Sequence, residues 1–456
     1  MTYAFTFDAS ACSGCKACQV ACKDKNDLPL GVLWRRVYEV AGGSWRQMGD
    51  AWVTDVFAYN LSIACNHCVH PKCAGVCPTD AYVQREDGIV YIDESKCIGC
   101  GYCNWACPYA APQYNPERGH MTKCDFCVDN IDAGLLPACV AACPLRVLDF
   151  IEVNSNQSPV SSDRLWEMPG EKHPFPLPKQ SRTEPHLAIK PHAGMANTLD
   201  KAVSNWEEVR PKKSKSELPL VAFTLLGQMA AGMAAFGLFS GPLSPLLLVT
   251  LGGLICLAGL ASLLHLGAPR NAWRAVVHLK KSWLSREILM FSLFGASWLV
   301  ALRMPGMGKL PLVLCGIGLI VSMAYVYRLR SIPAWDTNRT LLAFIASAVS
   351  LGGLGLKILH NSGGFAGLGD MFLLLPVLVA FWGAFALSLR ECNQVYQTVR
   401  SIRLSLIGLS LAGVLTMLII PDPAGRWITV PIFILALIEE ILGRWLFYKH
   451  LHQRVL

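Results

Sequence analysis

Sixteen of the nineteen cysteines stand in the first 150 residues, and their spacing restricts what that part of the chain can become. They form four groups: Cys12, Cys15, Cys18, Cys22; then Cys65, Cys68, Cys73, Cys77; then Cys97, Cys100, Cys103, Cys107; then Cys124, Cys127, Cys139, Cys143. The first and third groups read C-x2-C-x2-C-x3-C. The second and fourth open with C-x2-C and close with C-x3-C. Proline follows Cys77, Cys107 and Cys143, whereas Lys23 follows Cys22. Such runs bind [4Fe–4S] clusters. The tight turn converges three thiolates on one cubane, and the fourth cysteine reaches a second cluster. Zinc sites use two C-x2-C pairs instead. Sixteen cysteines therefore suffice for four [4Fe–4S] clusters with none left over. His67 and His70, inside the second group, are expected at the surface or behind the ligands. A small disulfide-rich secreted domain would be cysteine-dense throughout, which this chain is not. The isolated Cys256, Cys315 and Cys392 read as small apolar residues.

The cysteine region also repeats itself. Asp8, Ser10, Cys12, Gly14, Cys15, Cys18 and Cys22 recur as Asp93, Ser95, Cys97, Gly99, Cys100, Cys103 and Cys107, at a constant offset of 85. Each copy follows a short strand-like run, Tyr3–Phe7 or Ile89–Ile92. Residues 1–150 are thus expected to form an α+β domain, a duplicated ferredoxin-like unit with four clusters. The spacing leaves open which groups share clusters. No phosphate loop or nucleotide fingerprint is present in this region. It reads as a wire for single electrons without a substrate site of its own.

Residues 151–216 contain eight prolines and many Ser, Lys and Glu residues, and read as an extended linker. From Leu218 onward come eight apolar runs: 218–239, 244–266, 287–304, 310–327, 340–357, 371–389, 404–420 and 427–448. A helix crossing a bilayer needs about 20 such residues. Small residues inside the runs suit helices that pack closely in lipid. Only 16% of the chain is charged, against about 25% in an average soluble protein. Residues 217–456 are therefore expected to be an all-α bundle of eight transmembrane helices.

An even number of spans returns the chain to its starting face. Of the 23 Lys and Arg from Lys201 onward, Arg303, Lys309, Lys357 and Arg426 lie on the far face and Arg444 lies within the last run. The other 18 share the face of the linker. Positive-inside then puts the cluster domain in the cytoplasm, with a periplasmic placement as the alternative. Docking of the cluster domain is another use for part of this basic face. Either way the net charge of +8 is largely juxtamembrane, and nucleic acid is excluded as a partner. Residues Met1–Asp8 show no secretory or twin-arginine signal, so export would need a signal on a partner.

These segments are recognisable. YAFTFDASACSGCKACQVACKDKNDL, LSIACNHCVHPKCAGVCPTDA and REDGIVYIDESKCIGCGYCNWACPYAAPQYN closely resemble the iron–sulfur subunit of the dimethyl sulfoxide reductase family. LLHLGAPRNAWRAV, LSREILMF and IPAWDTNRT resemble, more weakly, its membrane anchor subunit. Here the two are joined through the proline-rich linker, whereas the family usually keeps them as separate chains. The resemblance implies that groups one and four share two clusters and groups two and three share the other two. Cys77, Cys97, Cys100 and Cys103 would then hold the cluster nearest the membrane. Because Cys100 is present, that cluster is expected as [4Fe–4S] rather than [3Fe–4S]. The molybdopterin-containing catalytic subunit is absent from this chain and is implied as a partner.

A b-type haem would need axial histidines. Of His265, His278, His360, His450 and His452, only His265 is suitably placed and none matches it, so no haem is expected. His265 ends the second run and Glu287 opens the third, on the linker's face. Ionisable residues at membrane depth usually mark a pathway or site. A quinol releases two protons with its two electrons, and a histidine and a carboxylate can accept them. The resemblance points to the same two positions as a quinol site. The bland alternatives are an interfacial histidine and a carboxylate stabilised by the helix N-terminus. Arg270 and Arg286 read as headgroup contacts. Glu440 and Arg444, four apart, are expected to pair locally, with a proton path through Glu439 and Glu440 as the rival.

The resulting expectation is a multi-pass subunit of a bacterial or archaeal cell membrane, serving anaerobic respiration. Menaquinol or ubiquinol would give electrons near His265 and Glu287, and four clusters would pass them to a catalytic subunit reducing an S-oxide or N-oxide. Quinol chemistry would then sit on this chain and terminal substrate chemistry on the partner. A second reading reverses the flow, from a partner oxidising a substrate such as sulfite to quinone. A third is a metal-binding membrane scaffold without redox turnover.

Overall fold

The computed structural model describes residues 2–153, 183–190, 192, 203–206, 217–239, 243–360, 370–389, 397–419 and 425–449. Two compact units divide the chain, one holding residues 1–214 and 270–274, the other 215–269 and 275–454. Each is described by itself.

In the first unit the strand Thr2–Asp8 pairs antiparallel with Leu148–Val153, from Thr2 opposite Val153 to Phe7 opposite Leu148. The cysteine region is thus closed on itself. Ala4, Phe5 and Phe7 are buried, and Phe5 stacks on Phe126 with ring centroids 4.1 Å apart. A second antiparallel pair, Arg36–Gly42 with Phe57–Ile63, supplies Val37, Tyr38, Val40, Tyr59 and Leu61 to the same core. Three short hairpins complete the strands of residues 1–153. The expected strand at Tyr3–Phe7 is present, and the one at Ile89–Ile92 is the hairpin strand Val90–Ile92.

The stretch expected as a bare linker contributes two strands. Leu187–Lys190 runs parallel to Thr2–Asp8 with Leu187, Ala188 and Ile189 buried. Val203–Trp206 pairs with Arg36–Gly42. Leu-Ala-Ile is long enough to extend an existing sheet, although it is too short to signal a strand among so many prolines.

The second unit has eight helices among the described residues: Leu218–Gly237, Pro245–His265, Trp283–Arg303, Pro305–Tyr327, Asn338–Leu359, Asp370–Leu389, Gln397–Ile419 and Gly425–Lys449. Each expected run falls on one of them. The first five and the seventh are long and apolar enough to cross a membrane. The sixth has a shorter apolar stretch, Leu373–Leu387. The eighth carries Glu439, Glu440 and Arg444. The third begins four residues before its apolar run, because the Ser282 side chain accepts the Ser285 N–H and starts the helix. Glycine lets backbones meet. A methyl added at Gly232 of the first helix would run into the Ala348 carbonyl oxygen of the fifth. Gly352 faces Gly232 from the fifth helix in turn.

Candidate functional site

The first C-x2-C turn of each group has the same backbone device. The residue before the second cysteine has positive φ: Gly14 at +69°, His67 at +43°, Gly99 at +67° and Phe126 at +66°. Only glycine adopts this region without strain. The turn points an N–H back at the first sulfur. Gly99 N and Phe126 N each donate to it at 3.4 Å, to Cys97 and Cys124. Further donors reach other sulfurs: Ala81 N to Cys77 at 3.4 Å and Asn26 Nδ2 to Cys22 at 3.8 Å. Hydrogen bonds to sulfur set the potential of iron–sulfur groups.

The cysteines converge across their sequence groups. Cys12, Cys15, Cys18 and Cys143 rim one recess, and Cys65, Cys68, Cys73 and Cys107 rim another. Cys77, Cys97 and Cys103 share a small buried cluster, and Cys100 faces Cys77 and Cys97. Cys22, Cys124, Cys127 and Cys139 face one another electrostatically. Every quartet therefore takes three thiols from one group and one from another. Groups one and four interlock, as do groups two and three. No three His, Cys, Asp or Glu side chains among the described residues stand close enough to hold one metal ion. Four thiols per quartet are the donor set that a [4Fe–4S] cluster takes.

The quartets also have an order. Cys18 of the first faces Cys139 of the second. Cys124 of the second faces Cys65 of the third. Cys73 of the third packs with Cys77, Cys97 and Cys103 of the fourth. Thirteen of the sixteen cysteines are buried. The exceptions are Cys12 and Cys15 in the first quartet and Cys100 in the last. Burial pushes the Cys22 thiol up to about 12 and those of Cys73, Cys103 and Cys124 well above the ordinary thiol value, so a metal bound there would displace their protons.

Two buried cations stand among the thiols. The Lys123 ammonium donates to the Val90 carbonyl and, at 2.9 Å, to that of Cys124. Burial alone would lower it, but the facing thiolates of Cys65, Cys73 and Cys124 hold it above the ordinary lysine value. Arg35 is 2% exposed and gives Nη1 to Ser62 at 3.3 Å. His67 is not at the surface. It is 1% exposed, its Nδ1 accepts the Val90 N–H at 3.0 Å, and burial pushes it well below its usual range. His70 is exposed and lies 3.7 Å from Glu184. Asn271, which falls with the first unit, donates to the carbonyls of Ser95 and Cys97 at 3.0 and 3.1 Å. None of these roles is signalled by spacing. A charged residue between cysteine groups is the only hint.

In the second unit, half-buried His265 is the last residue of its helix, and Glu287, 4% exposed, lies in the second turn of the next. The earlier helix start thus moves Glu287 out of the first turn. Tyr327 and Tyr448 face Glu287 electrostatically, and their hydroxyls are 2.5 Å apart. Trp335 is fully buried beside them, stacked on Phe447 at 4.5 Å. These aromatics escape periodicity because each sits at the end of an apolar run, where Trp and Tyr are commonplace.

Glu440 and Arg444 face each other electrostatically but make their hydrogen bonds elsewhere. Glu440 accepts from Ser347 at 2.7 Å, and Arg444 donates to Gln228 at 2.9 Å. Arg403 pairs with Glu439 at 2.8 Å. Neighbouring helices supply nearer partners than the next turn does. Of the other histidines, His278 precedes the third helix and His360 caps the fifth, while His450 and His452 lie outside the described residues, as does Cys392.

Comparison with known proteins adds to this geometry. Residues 56–153 match the family model of a 4Fe-4S dicluster domain, and residues 212–449 match that of the DMSO reductase anchor subunit. The sequence is 50% identical over 199 residues to one chain of the anaerobic dimethyl sulfoxide reductase of Escherichia coli, an overlap of 43% of this polypeptide and 93% of that one. It is 45% identical over 143 residues to one subunit of the tetrathionate reductase of Salmonella typhimurium, covering 31% and 54%. It is 40% identical over 156 residues to PhsB, the thiosulfate reductase electron transfer subunit of Salmonella typhi, covering 34% and 78%.

Proposed function

The chain belongs to the dimethyl sulfoxide reductase family, with an iron–sulfur electron-transfer subunit and its multi-pass membrane anchor fused on one polypeptide, and from this we propose that it carries electrons from membrane quinol through four [4Fe–4S] clusters to a separate molybdopterin subunit that reduces an S-oxide or N-oxide. The observation that carries the reading is the set of four interlocked thiol quartets, each facing the next, with partly open cysteines at either end of the series. When bound there, iron–sulfur clusters supply one-electron carriers. The sixteen thiolates hold them, the C-x2-C amides donate to sulfur, and the buried core excludes water.

At the membrane, quinol releases two electrons and two protons as it becomes quinone. Glu287 and His265 are the proposed acceptors of the protons, with the Tyr327–Tyr448 pair at hand to bind a quinol hydroxyl. Burial of Glu287 supports the reading, because an ionisable residue kept from water at membrane depth usually marks a pathway or site. The clustering of basic residues on the linker's face supports a cytoplasmic cluster domain. The names of the relatives point to sulfur-containing acceptors.

Anaerobic iron and sulfide analysis with EPR of the reduced complex tests the wire, and absence of cluster signals would sink it. Quinol-to-cluster electron transfer in His265→Ala and Glu287→Gln is expected to fall by about 10²-fold or more, the usual worth of a positioned proton acceptor. Normal rates in both would reject the site. Assay of the co-purified large subunit with an S-oxide fixes the direction, since substrate oxidation by that subunit would reverse it.

A further inference from the structure

Arg35 is a cation in an unusual setting. It is 2% exposed and is packed in the core that contains Cys18, Cys22, Cys124 and Cys139. A buried charge without a partner is costly, so such groups are normally paired. A guanidinium has five N–H donors. Here Nη1 is spent on the Ser62 hydroxyl, while Nε and Nη2 meet no acceptor among the described residues. The Phe5 ring lies 4.5 Å from the guanidinium carbon, a contact that stabilises the cation without neutralising it. The sulfurs of Cys139, Cys124, Cys18 and Cys22 face Arg35 electrostatically. Three belong to the quartet Cys22, Cys124, Cys127, Cys139. The fourth belongs to Cys12, Cys15, Cys18, Cys143. Ser62 completes the link, because its Oγ accepts from Arg35 and lies 3.4 Å from the Cys18 sulfur.

Lys123 makes an informative contrast. Its ammonium faces Cys65, Cys73 and Cys124 but also donates to the Val90 and Cys124 carbonyls, so its burial has a backbone explanation besides the thiols. Arg35 has no such explanation. Its two open donors and its charge await a negative body in the adjoining quartets.

Resting on the ligand sets proposed above, we propose that Arg35 is the positioning residue that raises the reduction potentials of the two iron–sulfur groups held by the interlocked first and fourth cysteine groups. Reduction adds one electron to a body already made negative by four thiolates. A fixed cation in a poorly solvated core stabilises the reduced form more than the oxidised one, and salt does not screen it. Arginine suits the task because it stays protonated whatever surrounds it. Ser62 carries part of the effect to Cys18 as a hydrogen-bond donor to sulfur.

The test is an EPR redox titration of the purified membrane complex, with iron and sulfide counted in each preparation. In Arg35→Gln, two of the cluster signals are expected to become at least tenfold harder to reduce, a shift of 59 mV for a one-electron couple. The signals of the clusters held by groups two and three stay where they were. Arg35→Lys keeps the charge and is expected to hold all potentials within about threefold of the wild type in reduction equilibrium, that being well under 59 mV. Ser62→Ala gives a smaller fall confined to the Cys18 cluster. Unchanged potentials in Arg35→Gln overturn the proposal, as does an equal fall in all four signals. If Arg35→Gln loses iron, Arg35→Lys decides the matter: full iron with wild-type potentials supports the proposal, whereas full iron with a tenfold fall, or loss of iron there too, overturns it. Wild-type protein without four cluster signals would instead reject the ligand sets.

Discussion

Among the described residues the first unit's five α-helices are nine residues long or shorter, whereas the second unit's eight are all of 20 residues or more. Isolated helices below about 12–15 residues are marginal in water. The short helices at Ala17–Lys25, Lys72–Val76, Tyr102–Ala106, Val128–Asp132 and Ala138–Ala141 therefore cannot organise the loops between them. The sulfur atoms they carry are placed by the sheets and the core around them. The long helices satisfy their own backbones, as a bilayer requires, and are then held by close glycine contacts such as Gly232 against Ala348. One unit presents its cysteines on short helices and turns around a sheet-built core, and the other is a bundle of long helices held by packing.

The sharpest way to break that contrast is to remove ligands. Cys143→Ser and Cys12→Ser, far apart in sequence, are expected to abolish or alter the same EPR signal, with loss of up to about a quarter of the iron if the cluster is lost. Cys127→Ser should affect a different signal. Different signals for Cys12 and Cys143 would refute the interlocked quartets. Cys256→Ala and Cys315→Ala, on helices, should leave iron content unchanged. In the ligand variants the second unit is expected to keep its helices, read as unchanged helical circular dichroism of the membrane fraction.

Packing variants should do the reverse. Gly232→Leu forces a side chain into the backbone of the fifth helix, where overpacking costs about 1–3 kcal/mol or more. Lower thermal stability of the detergent-solubilised protein, with normal cluster signals, is the expected result. Tyr448→Phe removes one member of the Tyr327 pair and should cost about 0.5–1.5 kcal/mol. If the pair binds quinol, the apparent KM rises in the same variant. A fall in stability with unchanged quinol kinetics would make the pair purely structural.

The contrast also explains what could be read in advance. Cysteine spacing reports ligand chemistry, because three thiolates can converge only from a turn of fixed length. Runs of apolar residues report spans, because the bilayer sets a length. Neither reports who faces whom. The Glu440–Arg444 spacing suggested a local pair, but Ser347 and Gln228 on neighbouring helices offer partners that helix periodicity does not contain. Burial of Arg35, Lys123 and His67 among thiols follows from folding four groups together. The strand Leu187–Lys190 depends on the edge already formed by Thr2–Asp8, and so has no strong signal of its own. The 85-residue repeat, by contrast, survives into geometry. Gly14 and Gly99 share a φ near +68°, and Lys16 and Gly101 are left-handed in both copies.

The smallest expected effect separates those copies. Asp8 Oδ1 accepts the Ser10 N–H at 2.9 Å, and Asp93 Oδ1 accepts that of Ser95 at 3.0 Å. Each aspartate therefore stabilises the turn that leads into its first cysteine. Their outer partners differ. Asp93 Oδ2 meets Lys96, three residues away, at 3.1 Å. Asp8 Oδ2 meets Lys190 at 2.7 Å and so ties the cysteine region to the strand Leu187–Lys190. Both pairs are partly exposed, where an ion pair is worth about 0–1 kcal/mol. Asn at either position keeps the turn acceptor and removes the charge. Asp93→Asn is expected to be nearly neutral because its partner is local. Asp8→Asn should loosen the strand beyond the sheet, seen as faster amide exchange at Leu187–Ile189 with little change in global stability. Equal behaviour of the two variants would mean that this strand is held by burial of Leu187 and Ile189 alone.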